Sequence, residues 1–307
     1  MPLVTSKELL LTALENHFAI GAFNANNMEQ IQAIAEAAEE ERAPVIVQVS
    51  QGAIRYAGLE FAAAMVKTAA RLVSVPVVLH LDHGYDFEQN VRCLRAGFTS
   101  LMFDGSSMPY EENVATSQRI AEIAHIAGIP VEAELGKVAK ASSNLCYEDI
   151  CALMTDPSQA KEFVDRTGVD SLSIACGSVH AMENQGADLD LDRIRAIRSQ
   201  VPQTPLVLHG SSGVTVESVR QAIPLGITKI NVATYLNQAF TRGLREGLVK
   251  YADSVDPRKP LALGRDYVKE AVREKIRLFG CAGVVDSSGG FRSPSRQFRS
   301  AELGEAE

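Results

Sequence analysis

Three histidines follow short apolar runs at widely separated points of the chain. They are His83 in VVLHLDHG, His180 in SIACGSVH and His209 in LVLHG. Three imidazole ligands suit a catalytic zinc ion, because they leave a fourth position open for a water molecule or a substrate. Such an ion polarises a carbonyl or activates water. The pattern therefore predicts a catalytic zinc centre, provided that the fold brings the three runs together.

Asp82 directly precedes the first of these histidines. It could be a further metal ligand, a solvated surface acid, or a general acid/base acting on a substrate held by the metal. Its position alone does not choose among the three. His80 lies two residues earlier, so strand alternation places it on the same face as Asp82, where it could support the site indirectly. His17 and His125 are expected to be structural.

Two stretches of small residues also follow apolar runs, namely HGSSG (His209–Gly213) and NVAT (Asn231–Thr234). The second stretch opens a helical pattern. Backbone amides in such a loop and at a helix N-terminus can bind a phosphate group. Each stretch is weak alone, because small residues in loops usually form only tight turns. Their joint placement predicts a phosphate site.

These residues require a fold that gathers strand ends on one side. Short β-rich runs alternate with segments of helical periodicity, as in a parallel sheet. Eight such runs are present: 19–23, 45–49, 77–81, 100–103, 131–133, 171–175, 206–208 and 229–232. Eight strands, each followed by a helix, predict an α/β fold with a single (β/α)₈ TIM barrel, although an open doubly wound sheet shows the same rhythm. The predicted helices are 28–41, 59–72, 87–96, 110–127, 157–167, 191–199, 216–223 and 236–251, followed by a C-terminal helical extension.

Unusual polar residues cluster at the C-terminal ends of the proposed strands, which share one rim in a barrel. The residues at these ends are Ser50, Asp82, His83, Asp104, Glu134, His180, His209 and Asn231. Residues far apart in sequence are therefore expected to converge on one site.

The expected organisation is one domain over residues 1–285, because α/β barrels routinely exceed 200 residues. Residues 286–307 are rich in Ser, Gly and charge and are expected to form a disordered tail. The polar segment from Gly136 to Asp156 is long for a connection within a compact domain, and we expect it to move.

Composition excludes several classes of protein. The formal charge is −8 with acids and bases intermixed, so no nucleic-acid partner is expected. No apolar run is long enough to cross a bilayer, and the N-terminus lacks the features of a signal peptide. The five cysteines form no C-x-x-C pair, which fits a reducing cytoplasm and argues against a cysteine zinc site.

The strings LHLDHG (Leu79–Gly84), VEAELG (Val131–Gly136), LVLHGSSG (Leu206–Gly213) and KINVAT (Lys229–Thr234) together resemble the class II ketose-bisphosphate aldolases. The resemblance covers residues 3–285. It implies reversible zinc-dependent cleavage of fructose or tagatose 1,6-bisphosphate to dihydroxyacetone phosphate and glyceraldehyde 3-phosphate. No lysine Schiff base is then required. The resemblance also implies a homodimer or homotetramer.

The resemblance assigns roles to individual residues. It implies that Asp82 transfers the proton at the C4 oxygen, that His83, His180 and His209 bind Zn²⁺, and that Glu134 borders the metal. It places the phosphate of dihydroxyacetone phosphate against the following loop residues: Ala181, Gly210, Ser211, Ser212, Asn231, Val232, Ala233 and Thr234. Ser50 and Arg258 correspond to contacts with the distal phosphate. A monovalent cation, Na⁺ or K⁺, is implied as an accessory near the first phosphate.

The chain departs from the family pattern at three places. KVAKASSN (Lys137–Asn144) replaces a Gly-Gly and acidic pair, so the loop must differ in flexibility and charge. Ala181 follows His180 where glycine is usual, which puts a methyl group where a close backbone approach is expected. Tyr235 replaces an acid after NVAT, a string closer to the tagatose-bisphosphate branch.

The sequence alone leaves other functions open. The aldolase could act on a related phosphorylated ketose or deoxy-keto acid. A zinc hydrolase would use the same ligands to activate water. A non-catalytic sugar-phosphate binder would fit the altered loop and Ala181.

Overall fold

The computed structural model describes residues 3–141, 146–182, 184–286 and 290–291. Its strands, numbered along the chain, are β1 (Ile20–Asn24), β2 (Val45–Ser50), β3 (Val77–Asp82), β4 (Leu101–Phe103), β5 (Val131–Leu135), β6 (Ala139–Lys140), β7 (Ser171–Ile174), β8 (Val179–His180), β9 (Leu206–Leu208) and β10 (Ile227–Val232). Eight of them form one parallel sheet in the order β3-β2-β1-β10-β9-β7-β5-β4. β6 and β8 form a separate two-stranded sheet.

The sheet closes on itself between β3 and β4. Parallel bridges join His80 to Ser100 and Gly84 to Phe103, and the Leu81 amide donates to the Ser100 carbonyl at 3.1 Å. The main strands are almost wholly buried, as expected when helices cover one face of a parallel sheet and side chains fill the interior. The predicted (β/α)₈ barrel is thus confirmed over the open-sheet alternative.

The described helices surround the barrel. They are α1 (Ser6–Glu15), α2 (Met28–Glu40), α3 (Gln51–Ala57), α4 (Leu59–Leu72), α5 (Phe87–Arg95), α6 (Tyr110–Ile126), α7 (Tyr147–Leu153), α8 (Pro157–Thr167), α9 (Leu191–Gln200), α10 (Val216–Ala222), α11 (Thr234–Lys250) and α12 (Arg258–Leu278). Several begin at side-chain caps that the sequence provides: Asn27 accepts from the Gln30 amide and Asp86 from the Gln89 amide. α1, α3 and α7 had no counterpart among the predicted helices.

The predicted C-terminal extension is α12, which packs against α11 and crosses α2. Glu41, just beyond α2, accepts from Arg273 at 2.8 Å and from Arg277 at 2.6 Å. Glycines permit close approach between the helices: a Cβ atom on Gly243 would lie 2.6 Å from the Leu263 carbonyl oxygen. The extension is therefore an integral part of the outer helical layer.

Two sequence predictions concern regions that are only partly described. Residues 142–145, within the segment Gly136–Asp156, lie outside the described residues, as do 287–289 and 292–307 of the tail. The motion of the segment and the disorder of the tail remain predictions. Among the described helices, none combines the length and apolar character needed to cross a membrane.

Candidate active site

A cavity of about 240 Å³ opens at the C-terminal rim of the barrel. Polar side chains and small residues from six strands and their following loops surround it. The lining residues are Asn24, Asn26, Ser50, Asp82, His83, His180, Ala181, Gly210, Ser211, Ser212, Asn231, Ala233, Thr234 and Asn237. The structure therefore brings together most of the residues predicted from sequence.

The three predicted histidines meet at this rim. The ring centroid of His83 lies 4.7 Å from that of His209 and 5.2 Å from that of His180. Their ligand atoms all fall within 4.8 Å of one another, so they can hold one metal ion. His209 is fully buried behind the cavity, whereas His83 and His180 border it. The predicted convergence of these ligands is realised in the geometry.

His180 reaches the site differently from the other two. Its strand β7 ends at Ile174, and His180 lies on β8, where it pairs in register with Lys140 of β6. His83 and His209 instead directly follow β3 and β9. The prediction that His180 ends a barrel strand was therefore inexact, because the chain leaves the barrel and forms the small β6–β8 sheet first.

Two carboxylates each hold one nitrogen of a histidine and leave the other nitrogen facing the centre. Nδ1 of His83 donates to Asp104 at 2.7 Å and Nε2 of His209 donates to Glu132 at 2.9 Å, which leaves His83 Nε2 and His209 Nδ1 as the inward atoms. These two atoms are 3.0 Å apart. Lone pairs at that separation repel unless a cation or a proton lies between them. Tetrahedral zinc at about 2.0–2.1 Å from each nitrogen sets ligands about 3.3 Å apart, so the donor set fits this ion.

Electrostatics around His83 favour a cation at the same point. Burial alone would lower the pKa of His83, but Asp82, Asp104 and Glu134 raise it to about 9. Burial lowers the pKa of His180 to about 4, so that ring is neutral at pH 7 and available as a ligand. The acids around the rings thus create a site that attracts positive charge.

Asp82 is buried beside the histidines and held by two amides. The side-chain amide of Asn24 donates to Oδ2 at 2.7 Å, and that of Asn231 donates to Oδ1 at 3.2 Å. Burial raises the pKa of Asp82, but His83, His209 and Lys229 outweigh burial and lower it. Asp82 is therefore an oriented, ionised carboxylate that borders the cavity and can accept a proton.

Glu134 lies behind the histidines and does not line the cavity. Its Oε2 is 3.8 Å from His209 Nδ1, and its carboxylate forms a second potential ligand group with His83 and Asp104. Burial and the neighbouring Asp104 raise the pKa of Glu134 to about 8. Glu134 therefore lies close to the three histidines, and its role at a metal ion stays a prediction.

The two small-residue stretches follow the neighbouring strands β9 and β10 and lie side by side at the cavity. Ser211–Gly213 form a short 3₁₀ helix after Gly210, and α11 begins at Thr234 without a side-chain cap at Ala233. The first amides of an uncapped helix attract anions. The Ser212 hydroxyl accepts from the Tyr235 amide at 3.3 Å and links the two stretches. The arrangement suits a phosphate group.

Not every predicted residue reaches the cavity. Val232 is fully buried and does not line it. Arg258 starts α12 with its side chain 87% exposed and paired to Asp256, so within one chain it makes no contact with the site. Ala181 does line the cavity and adopts a positive φ of 61°, a conformation that favours glycine.

Sequence reasoning missed several buried polar residues beneath the site. Gln48 donates to Asn24, which orients Asp82, while Glu132 and Lys229 form an ion pair at 2.9 Å beside His209. A signal was available: Glu132 and Glu134 alternate along β5, as do Lys229 and Asn231 along β10, so each pair projects to one side of its strand. Nδ1 of His80 forms a hydrogen bond with the Ser100 hydroxyl at 2.8 Å, and Nε2 of His80 lies 3.9 Å from the Glu132 carboxylate. His80 therefore belongs to the same buried layer.

The fold and the site together define a (β/α)₈ barrel with three histidines that could hold one metal ion and a rim of small residues suited to an anion. A model of the class II fructose-bisphosphate aldolase family matches residues 4–284. The chain therefore belongs to the class II fructose-bisphosphate aldolase family and is an aldolase, a carbon–carbon lyase.

Relatives support this assignment over nearly the whole chain. The fructose-bisphosphate aldolase of Geobacillus stearothermophilus is 44% identical over 286 residues, covering 92% of this chain and 99% of the relative. That of Thermus caldophilus is 42% identical over 304 residues, covering 92% and 99%. The crystal structure of the YdjI aldolase from Escherichia coli K12 superposes with a TM-score of 0.80 at 36% identity, covering 92% of this chain and 98% of that chain.

Proposed function

We propose that this protein reversibly cleaves a ketose 1,6-bisphosphate to dihydroxyacetone phosphate and glyceraldehyde 3-phosphate, with fructose 1,6-bisphosphate as the preferred substrate. The observation that best supports this proposal is the pair of inward-facing nitrogen atoms, His83 Nε2 and His209 Nδ1. They are 3.0 Å apart and lie beside the carboxylate of Asp82. The names of the relatives favour fructose over tagatose, although NVAT is closer to the tagatose-bisphosphate branch.

His83, His180 and His209 would hold the zinc ion. Bound there, zinc would supply Lewis-acid stabilisation of the negative charge that develops on the ketone oxygen during cleavage. Glu134 borders this centre. The fit of the donor set, rather than any single residue, supports zinc over a site without metal.

Asp82 performs the proton transfer. As the C3–C4 bond breaks, the carboxylate accepts the proton of the C4 hydroxyl and C4 becomes the aldehyde carbon. The electron pair of the broken bond stays with the dihydroxyacetone phosphate half, where C3 takes up a proton from solvent. Asp82 releases the proton that it accepted, so the overall cleavage neither gains nor loses protons. In the reverse reaction Asp82 returns its proton to the aldehyde oxygen.

The rim residues orient the substrate. The loops containing Gly210–Ser212 and Asn231–Thr234 bind the phosphate of the dihydroxyacetone phosphate half, and Ser50 contacts the distal phosphate from the other side of the cavity. A monovalent cation accompanies the first phosphate. The proposal includes a cytoplasmic location and a homodimeric or homotetrameric assembly; the five free cysteines fit the former.

The deciding experiment incubates zinc-loaded protein separately with fructose and tagatose 1,6-bisphosphate and couples dihydroxyacetone phosphate release to a reductase. We expect release from fructose 1,6-bisphosphate that a chelator abolishes and added zinc restores. Release from tagatose 1,6-bisphosphate alone would reverse the substrate preference. Absence of release from any phosphorylated ketose or deoxy-keto acid, or hydrolysis without carbon–carbon cleavage, would overturn the proposal.

A further inference from the structure

The ion pair between Lys229 and Glu132 lies in the barrel interior, where Glu132 contacts His209 and Lys229 contacts Asn231. Both side chains are about 1–2% exposed. Burying two charges costs free energy, so stabilisation of the fold does not by itself explain an ion pair that is buried this deeply. The contacts on either side of the pair supply one.

Glu132 fixes the tautomer of His209. Its Oε1 accepts from His209 Nε2 at 2.9 Å, while its Oε2 accepts from Lys229 at 2.9 Å. The Asn231 amide nitrogen also lies 3.1 Å from His209 Nε2, but it has Asp82 Oδ1 as its acceptor. Because the Glu132 carboxylate only accepts hydrogen bonds, the His209 proton is assigned to Nε2. The lone pair of His209 then lies on Nδ1, the atom that faces His83 across 3.0 Å.

Lys229 fixes a second group at the same time. Its ammonium donates to Asn231 Oδ1 at 2.8 Å. Because an ammonium only donates, the amide oxygen of Asn231 must face Lys229. The amide nitrogen is thereby directed to Asp82 Oδ1 at 3.2 Å. The Lys229 ammonium is therefore linked to His209 through Glu132. It is linked to the carboxylate of Asp82 through Asn231.

We propose that Lys229 and Glu132 are positioning residues that jointly set the tautomer of the zinc ligand His209 and the amide orientation of Asn231 against Asp82. The inference rests on the proposed function, since it assumes that His209 binds zinc and that Asp82 transfers the proton. Neither residue touches the substrate. Their effects should separate, with Glu132 acting on metal affinity and Lys229 on turnover.

Glu132→Gln tests the first part. Lys229 requires an oxygen, so the new amide turns its oxygen to Lys229 and its NH₂ group to His209 Nε2. The His209 proton then moves to Nδ1 and blocks the ligand position. We expect zinc affinity, measured by competition with a chromophoric chelator, to fall 10–100-fold, the range typical of lost support behind a metal ligand.

Glu132→Gln/Lys229→Met distinguishes orientation from packing. Without the ammonium, the amide of the new glutamine is free to present its oxygen to His209, and zinc affinity should return to within about threefold of wild type. Turnover should stay low, because Asn231 has lost the donor that orients it. If the single variant does not fold, the comparison uses Glu132→Met/Lys229→Met, which is equally neutral but removes the acceptor at position 132 and should bind zinc 10–100-fold more weakly than the rescued variant.

Thr228→Val is the matched control, because Thr228 is the buried neighbour of Lys229 on β10 and its side chain, among the described residues, hydrogen-bonds to the Leu206 carbonyl alone. It should bind zinc and turn over like wild type. Unchanged zinc affinity in Glu132→Gln, or equal affinity in the two double variants, would overturn the inference. Failure of wild-type protein to bind zinc or to cleave the ketose bisphosphate would instead overturn the proposed function, so the two failures are distinguishable.

Discussion

At the scale of single residues, the site depends on a small number of atoms with defined hydrogen-bond roles. Asp104 and Glu132 each accept from one nitrogen of a histidine and leave the other nitrogen free to bind a metal. Asn24 and Asn231 orient Asp82, because each donates a side-chain amide hydrogen bond to one oxygen of its carboxylate. The chemistry of the site therefore depends on these hydrogen-bond partners as well as on the four residues that the sequence identified, namely Asp82, His83, His180 and His209.

Asp82→Ala removes the carboxylate to which the proposed function assigns proton transfer at the C4 hydroxyl group. We expect kcat to fall by about 10²–10⁴-fold, the usual contribution of a positioned acid/base, while zinc remains bound. Coupled kinetics and metal analysis of the purified variant measure the two effects. Asp253→Ala, which changes an exposed acid, is the control and should keep full activity. Full activity in the Asp82 variant would exclude Asp82 from proton transfer.

Ala181 offers a test of the strained position in the cavity wall. A left-handed conformation costs an alanine about 1–2 kcal/mol, and the gain from Ala181→Gly is partly offset by the greater chain entropy of glycine. The free energy of unfolding should therefore change by less than about 1 kcal/mol, while KM falls because a methyl group leaves the cavity. Ala181→Val should destabilise the protein and raise KM. Thermal unfolding measures the change in stability, and steady-state kinetics measure the change in KM. A higher KM in the Ala181→Gly variant would contradict the expectation.

At the scale of elements, the site is assembled where neighbouring segments approach at backbone distance. Gly84 and Gly210 directly follow two of the histidines. A Cβ atom on Gly84 would lie 2.5 Å from the Met102 carbonyl oxygen, and one on Gly210 would lie 2.9 Å from the Val179 carbonyl carbon. These glycines let β3 close against β4 and let β9 hold the small strand that carries His180.

Gly210→Ala should therefore damage the metal centre through β8. The new methyl group would press on Val179 and His180, and we expect both zinc affinity and kcat to fall at least tenfold. Gly168→Ala provides a matched control, because Gly168 has nearly the same φ, 68° against 67°, but no atom within 4 Å of its ideal Cβ position. The control should lose stability from backbone strain alone and bind zinc normally. Equal zinc affinity in the two variants would show that β8 does not position His180.

At the scale of the whole molecule, strands from both ends of the chain join to complete the site. β1 pairs with β10, so Asn24 and Asn231, separated by most of the barrel sequence, come to lie on either side of Asp82. α12 then packs over α11 and α2, with ion pairs from Glu41 to Arg273 and Arg277. A metal bound at the rim therefore connects segments that contact one another only in the folded barrel.

Zinc should accordingly stabilise the folded state. A ligand present at 100 times its Kd and bound only by the native protein adds about 2.7 kcal/mol, which corresponds to a rise of several degrees in Tm. Thermal unfolding of metal-free and zinc-loaded protein measures the effect. His209→Ala is the control and should show little or no shift. An equal shift in the wild type and the variant would place the bound zinc elsewhere.

Much of this architecture could be predicted from local sequence. The eight apolar runs predicted the barrel, because continuous apolar runs and the helical patterns that follow them are properties of neighbouring residues. Asp82, His83 and His209 could be identified because residues that end barrel strands share one rim whatever the details of packing. Ala181, where the sequence departs from the family pattern, adopts a positive φ of 61°.

The sequence by itself thus determined the fold class, the rim and the residue types that chemistry requires there. Only the tertiary structure decided that His180 sits on a separate small sheet, that Arg258 lies away from the cavity, and that Lys229, Glu132, Asn24 and Gln48 form the buried support. The physical reason is that hydrogen-bond partners inside a barrel come from different strands. Which side chains meet depends on register and closure, and neither property is encoded in any single run of residues.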